Sequence, residues 1–225
     1  NESGQSPALN LTVDTTAPVA PSTPSGYADN EGEVQSASSS AASTDDTTPG
    51  IHIGSVPAGS TPRLYVNGVE VAATYDAGTG TLTPNEPLGE GLNDISYTLT
   101  DEAGNESEPS GVLSITVDTT APSTPLAAPT SYADDVGSVQ SASSSAGSTD
   151  DARPGINVGA GLTDTPSLYV DGVKVAATYD SATGTLTPTA ALSAGAHAIT
   201  YTLSDAAGNE SGQSPALNLT VDTTA

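Results

Sequence analysis

The chain has 225 residues, among them 27 acidic ones against only Arg63, Arg153 and Lys174, for a formal net charge of −24. Cys, Met, Trp and Phe are absent, which excludes disulfides and thiol chemistry and leaves Tyr as the sole aromatic residue. Such a surface repels nucleic acid and anionic membranes, and no stretch approaches the roughly 18 consecutive apolar residues of a membrane helix. Acidity with few aromatics also marks disordered chains. Here, however, the acids do not run in blocks; they gather in short loops between segments of alternating apolar residues. No signal peptide is visible, and the chain is expected to be an internal stretch of something longer.

A repeat governs the order of elements. "TVDTTAP" stands at 12–18 and 116–122, and "TVDTTA" at 220–225, a step of 104 residues. "LYV" at 64–66 and 168–170, "VAATYD" at 71–76 and 175–180, and "GNES" at 104–107 and 208–211 keep that step. Residues 1–17 are identical to 209–225. The organisation expected is the last strand and linker of one repeat (1–17), then two whole repeats, 18–121 and 122–225.

Along repeat one, a first strand is expected to end near Tyr27. The serine-alanine run 35–44 reads as an extended surface connection, longer than most, with an edge strand as the alternative. "GIHIG" is a strand, and "RLYVNGVEVAATY" reads as a hairpin about Asn67-Gly68, the preferred two-residue turn, with Asp171-Gly172 in its place in the second copy. "GTLTP" follows. In "DISYTLTD", Ile95, Tyr97 and Leu99 share one face, and in "LSITVD" Leu113, Ile115 and Val117 do likewise. About seven short strands with turn signals and no helical periodicity predict an all-β fold, tandem immunoglobulin-like antiparallel β-sandwiches.

Strand direction places Asp29, Asn30, Glu31, Asp45 and Asp46 at one end of repeat one, with Asp118 in the linker beyond it. The facing end of repeat two presents Asp205 and Asn209 in "DAAGNES". Opposed carboxylates repel strongly where water is partly excluded. Clustered hard oxygens suit Ca²⁺, which takes six to eight of them, better than Mg²⁺, which demands a tight octahedron and keeps its waters. With no Cys and only His52 and His197, zinc and copper lack ligands. The linker has no Gly, carries two β-branched threonines and ends in Pro, so it is expected to stay extended.

At these residues the chain resembles the tandem extender repeats of giant RTX-type bacterial adhesins, a family of bacterial immunoglobulin-like domains. The repeat step, "VDTTAP", the "TDD" loop and the "DxAGNES" loop carry the resemblance over the whole chain. It implies β-sandwiches strung end to end on the bacterial cell surface, stiffened by calcium and holding a distal ligand-binding region away from the cell. By position it implies ligands at Asp14, Asp118 and Asp222 in linkers; Asp29, Asn30, Asp45, Asp46, Asp134, Asp135, Asp150 and Asp151 at lower ends; and Asp101, Asn105, Asp205 and Asn209 at upper ends. Glu31 becomes Val136 in the second copy and is the weakest member. Partners expected are neighbouring repeats of the same chain, in a monomeric rod, with no membrane insertion.

Catalysis is not expected, since His52 corresponds to Asn157 and His197 to Asn93. Tyr27, Tyr65, Tyr75 and Tyr97 recur as Tyr132, Tyr169, Tyr179 and Tyr201 and read as core or rim packing. The alternative to a spacer is an adhesive module that grips a glycan or protein receptor through its loops, which differ at 55–62 and 160–166.

Overall fold

A computed structural model describes residues 7–224. The chain divides into two compact units, residues 1–30, 36–42 and 47–117, and residues 31–35, 43–46 and 118–225. Residues 1–6 of the leading strand expected at 1–17 lie outside the described part. Residues 7–17 carry no strand, with Leu9, Leu11 and Val13 exposed, whereas the identical residues near the C-terminus form one.

Among the described residues there is no helix. Repeat one contains β1 (Tyr27–Asp29), β2 (Ser36–Ser39), β3 (Ser43–Thr44), β4 (Gly50–His52), β5 (Thr61–Val66), β6 (Val69–Val71), β7 (Ala73–Asp76), β8 (Thr81–Pro84), β9 (Gly91–Thr100) and β10 (Leu113–Val117). They form two five-stranded sheets, in order β2-β1-β4-β8-β7 and β3-β10-β9-β5-β6. Repeat two copies them as β11 (Tyr132–Asp134), β12 (Ser141–Ser144), β13 (Ser148–Thr149), β14 (Gly155–Asn157), β15 (Thr165–Val170), β16 (Val173–Val175), β17 (Ala177–Asp180), β18 (Thr185–Pro188), β19 (Gly195–Ser204) and β20 (Leu217–Val221), with the same two sheet orders. This is the all-β, tandem immunoglobulin-like arrangement that the alternation predicts.

Alternation explains the core. On β9, Ile95, Tyr97 and Leu99 are buried, while Leu92 on the opposite face is exposed. In the second unit Tyr132, Ile156, Leu168, Leu186, Ile199 and Leu219 are fully buried in one cluster. Each such side chain contributes roughly 1.5–3 kcal/mol by leaving water.

Two details differ from the sequence expectation. The segment Val69–Asp76 is not one hairpin arm: β6 pairs with β5, whereas β7 pairs with β8 in the other sheet. The chain changes sheet at Ala72, whose carbonyl accepts the Asn85 N–H. The turn itself is as expected, with positive φ at Asn67 (52°) and Gly68 (77°), the backbone that a two-residue hairpin needs. The serine-alanine run is also more ordered than a plain connection. Its first half is edge strand β2, paired antiparallel with β1, and its second half is β3. Small, unpatterned residues hid both strands.

Candidate metal centre

The three linker aspartates do the same local job. Asp14 Oδ1 accepts the Thr16 N–H at 3.0 Å, Asp118 Oδ1 that of Thr120 at 3.0 Å, and Asp222 Oδ1 that of Thr224 at 3.1 Å. Each "DTT" is thus a side-chain-to-backbone turn of the kind short acidic residues favour. Bonds from the Thr224 hydroxyl and amide hold the Asp222 carboxyl below the usual range. The linker main chain is anchored too. Asn105 Nδ2 donates to the Asp14 carbonyl at 3.2 Å, and Asn209 Nδ2 to the Asp118 carbonyl at 2.7 Å.

The upper loops are wound around an aspartate. Asp101 Oδ1 accepts from the Ala103 and Asn105 amides, and its Oδ2 from Asn105 Nδ2. These bonds, the Asn105 side chain first, hold its carboxyl below the ordinary value. Asp205 Oδ1 accepts three amides, from Ala207, Gly208 and Asn209, at 2.9–3.0 Å. Past the loop, Ser107 and Ser110 turn their hydroxyls to the Leu99 and Tyr97 amides, and Ser211 and Ser214 do so for Leu203 and Tyr201. The returning chain is thereby stitched to β9 and β19 without a regular ladder.

The lower loops bury their acids. Asp29, Asp46, Asp134 and Asp151 are each at most 8% exposed. In "TDD", the threonine hydroxyl accepts the amide of the second aspartate: Thr44 from Asp46 at 3.1 Å and Thr149 from Asp151 at 3.0 Å. Asp134 Oδ2 accepts the Thr149 hydroxyl at 2.7 Å. Burial pushes the Asp151 carboxyl up, and the charges of Asp135 and Asp134 add to that, against bonds from the Arg153 and Asp135 amides. Asp222 joins this end of the second unit through its amide, bonded to the Thr149 carbonyl. Asp150 lies beneath Gly137, where φ is +71° and a Cβ would stand 1.9 Å from its Oδ2.

Within the second unit, the segments 31–35 and 43–46 pack on the 205–209 loop. The Glu33 amide donates to the Gly208 carbonyl at 3.0 Å and the Asp45 amide to the Ala207 carbonyl at 3.1 Å. Gly32 has φ +56°, and a Cβ there would stand 1.8 Å from Asp45 Oδ2 and 2.7 Å from the Gly208 carbonyl; one at Gly208 would stand 3.2 Å from Asp45 Oδ2. Only glycines leave room for that carboxylate. Asp45, Asp118, Asp205 and Asn209 therefore share one neighbourhood. In the first unit, Asp14 meets Asp101 and Asn105 beside a groove of about 600 Å³. Ala103 and Gly104 are exposed, whereas their counterparts Ala207 and Gly208 are buried. Asn30 and Asp135 are exposed at the lower ends.

The donor set suits a hard cation, since every side chain gathered here offers oxygen and the glycine cradle holds Asp45 at close quarters. Among the described residues no three His, Cys, Asp or Glu side chains form a metal-holding group. The oxygens that do gather include main-chain carbonyls, which calcium accepts as readily as carboxylates. The pattern "D-x-x-G" after Tyr27-Ala28 and Tyr132-Ala133 is the sequence signal that marks Gly32 and Gly137 as part of each loop.

One histidine sets a pH dependence. His197 Nε2 meets the Ser193 carbonyl at 2.9 Å and Nδ1 meets Asp171 Oδ2 at 2.7 Å, and the two acceptors, Ser193 first, raise its pKa above 6.5. A raised histidine pKa stabilises the fold fully below the unfolded value and ceases to do so as pH rises through the folded one. The second unit should therefore lose about 0.5 kcal/mol between pH 6 and 8, the scale of a partly exposed pair. His197→Asn, which installs the residue of repeat one, should flatten that slope in urea denaturation; a slope unchanged by the substitution would contradict the assignment.

Two-sheet sandwiches in tandem define a class of immunoglobulin-like modules. The chain belongs to the bacterial Ig-like domain family, whose model matches residues 24–119 and 126–223. No curated protein matches it. Among solved structures it is similar to the fibronectin(III)-like modules of Clostridium thermocellum CbhA, at 12% identity and TM-score 0.42, over 94% of this chain and 93% of that one. It is also similar to the Bacteroides ovatus mixed-linkage glucan utilization locus SGBP-B, solved with a mixed-linkage heptasaccharide, at 18% identity and TM-score 0.28, over 95% of this chain and 48% of that one.

Proposed function

We propose that this chain is a spacer segment of a bacterial surface adhesin, working outside the cell, in which Ca²⁺ bound between acidic loops stiffens successive repeats. The observation that supports it best is the gathering of Asp45, Asp118 and Asp205 oxygens near Gly32 and Gly208, with Asn209 Nδ2 bridging the Asp118 carbonyl and the Asp205 carboxylate, in a chain of net charge −24. The residues divide the work. The Asp205 carboxylate is oriented by three amides, the Asp118 carbonyl by Asn209, and the Asp45 carboxylate by the glycine cradle. Bound calcium would supply the positive charge that offsets their mutual repulsion. Equivalent ligands would be Asp14, Asp101 and Asn105 in the first unit, and Asp134, Asp135, Asp150, Asp151 and Asp222 in the second.

Titration calorimetry of the 225-residue chain tests this. Calcium should bind with a Kd at or below the roughly 10⁻⁴–10⁻³ M of extracellular modules, and Asp45→Asn should weaken one class of site at least about tenfold, or 1.4 kcal/mol. No binding heat up to 10 mM, or equal affinity for magnesium, would remove the calcium from the proposal.

A further inference from the structure

Lys174, the one lysine of the chain, stands at the second unit's edge strand β16. Its ammonium pairs with Glu33 and lies 3.6 Å from Glu210 Oε1. Glu210 in turn accepts the hydroxyls of Tyr169, at 2.9 Å, and Thr202. Lys174 and Glu33 side chains are little more than one-third exposed, and Glu210 less. Desolvation works to lower the Lys174 pKa, but the Glu33 bond and the charges of Glu210 and Glu33 outweigh it and raise it. The same segment is fixed by its backbone, through the Glu33 and Asp45 amides on Gly208 and Ala207.

Repeat one has the same Tyr-Glu-Thr arrangement, but its cation is Arg63 on the neighbouring strand, already paired with a second glutamate. Tyr65 and Thr98 hydroxyls donate to Glu106 at 2.7 and 2.6 Å, but Glu70 occupies the place of Lys174 and pairs with Arg63 at 3.1 Å. The position of Glu33 changes in step: it is Ser138 in repeat two. So the repeat whose lower loop carries an acid is followed by one whose upper end carries a lysine. The upper end of repeat one sets Glu70 and Glu106 against the single charge of Arg63 and stays net negative, whereas Lys174 balances Glu210, so repeat one would hold an acid at the position of Glu33 less well than a neutral residue.

We propose that Lys174 is a specificity residue that selects which lower loop docks on the 205–210 loop, accepting an acid at the position of Glu33 and thereby writing the order of repeats into charge. A single exposed pair contributes little stability. Discrimination needs less, because like charges placed opposite one another reject the wrong partner while opposite charges retain the right one. Calcium acts on other atoms and is not required for this choice.

Amide hydrogen exchange of the whole chain, followed by NMR in calcium and again in EDTA, provides the test. The Glu33 and Asp45 amides report docking, and the Leu203 amide, bonded to Ser211, reports folding of the unit. Lys174→Glu should speed exchange at Glu33 and Asp45 at least tenfold while leaving Leu203 unchanged. Lys174→Gln should give a smaller change, and the double variant Glu33→Lys with Lys174→Glu should restore the wild-type rates to within threefold. Unchanged rates in Lys174→Glu would overturn the proposal, as would failure of the charge swap to restore them. The result in EDTA stands apart from the calcium titration, so either reading is able to fail alone.

Discussion

Chelating calcium is expected to lower the melting temperature of the chain by about 10 °C or more in scanning calorimetry. A site filled a hundredfold above its Kd adds about 2.7 kcal/mol, and 1 kcal/mol moves the melting of a domain this size by about 4–8 °C. Asp151 supplies a sharper version. Its carboxyl is held above its ordinary 3.8 by burial and by Asp135 and Asp134. A raised acid pKa means that the folded form binds its proton more tightly than the unfolded chain does. Metal-free stability should then fall as pH rises from the ordinary Asp range through the raised folded value, and the penalty is complete above it. Asp101 and Asp222, held low, act in the opposite direction, and their contribution is lost only as pH falls below the usual carboxylate range. Hence Asp151→Asn should raise the melting temperature in EDTA at pH 7 and lower it in saturating calcium. An effect of one sign in both buffers would show that no cation answers to this carboxylate.

The second large effect is expected at Tyr132. Its ring is wholly buried and its hydroxyl donates to the Ser148 carbonyl at 2.8 Å, tying β11 to β13. Tyr132→Ala removes a ring from a closed core and should cost about 3–5 kcal/mol, enough to abolish the folded second unit near its original melting temperature. Tyr132→Phe keeps the ring and should cost about 1 kcal/mol for the lost bond. Each repeat has its own core cluster, so the first unit's transition should persist in the alanine variant. Calorimetry with near-UV dichroism would show it, and joint loss of both transitions would contradict independent cores.

Alternation made the long strands legible: Ile95, Tyr97, Leu99, Ile115 and Val117 are all buried as period-two reading requires. Asn67-Gly68 announced its turn because two successive residues must take positive φ. The switch at Ala72 was hidden because β6 and β7 are each too short for a period to show. The runs at β2 and β3 were hidden because serine and alanine carry no inside-outside contrast.

In the candidate site, counting carboxylates pointed to loops but not to the atoms that meet there. Asp118 enters through its carbonyl as much as its side chain, and Gly32 enters by lacking a side chain altogether. Main-chain oxygens and vacant Cβ positions leave no mark in composition. The repeated "DTT" has a local cause as well, since each aspartate caps its own turn.

The last strand of the second sandwich is held differently on its two sides. β20 pairs antiparallel with β19 over Leu217–Val221 and parallel with β13 at Thr220 and Val221. Tension applied through the linker at Asp222 runs along this strand, so it must slide past both neighbours at once. Its hydrogen bonds would then share the load as a sheared patch instead of parting one by one like a zip.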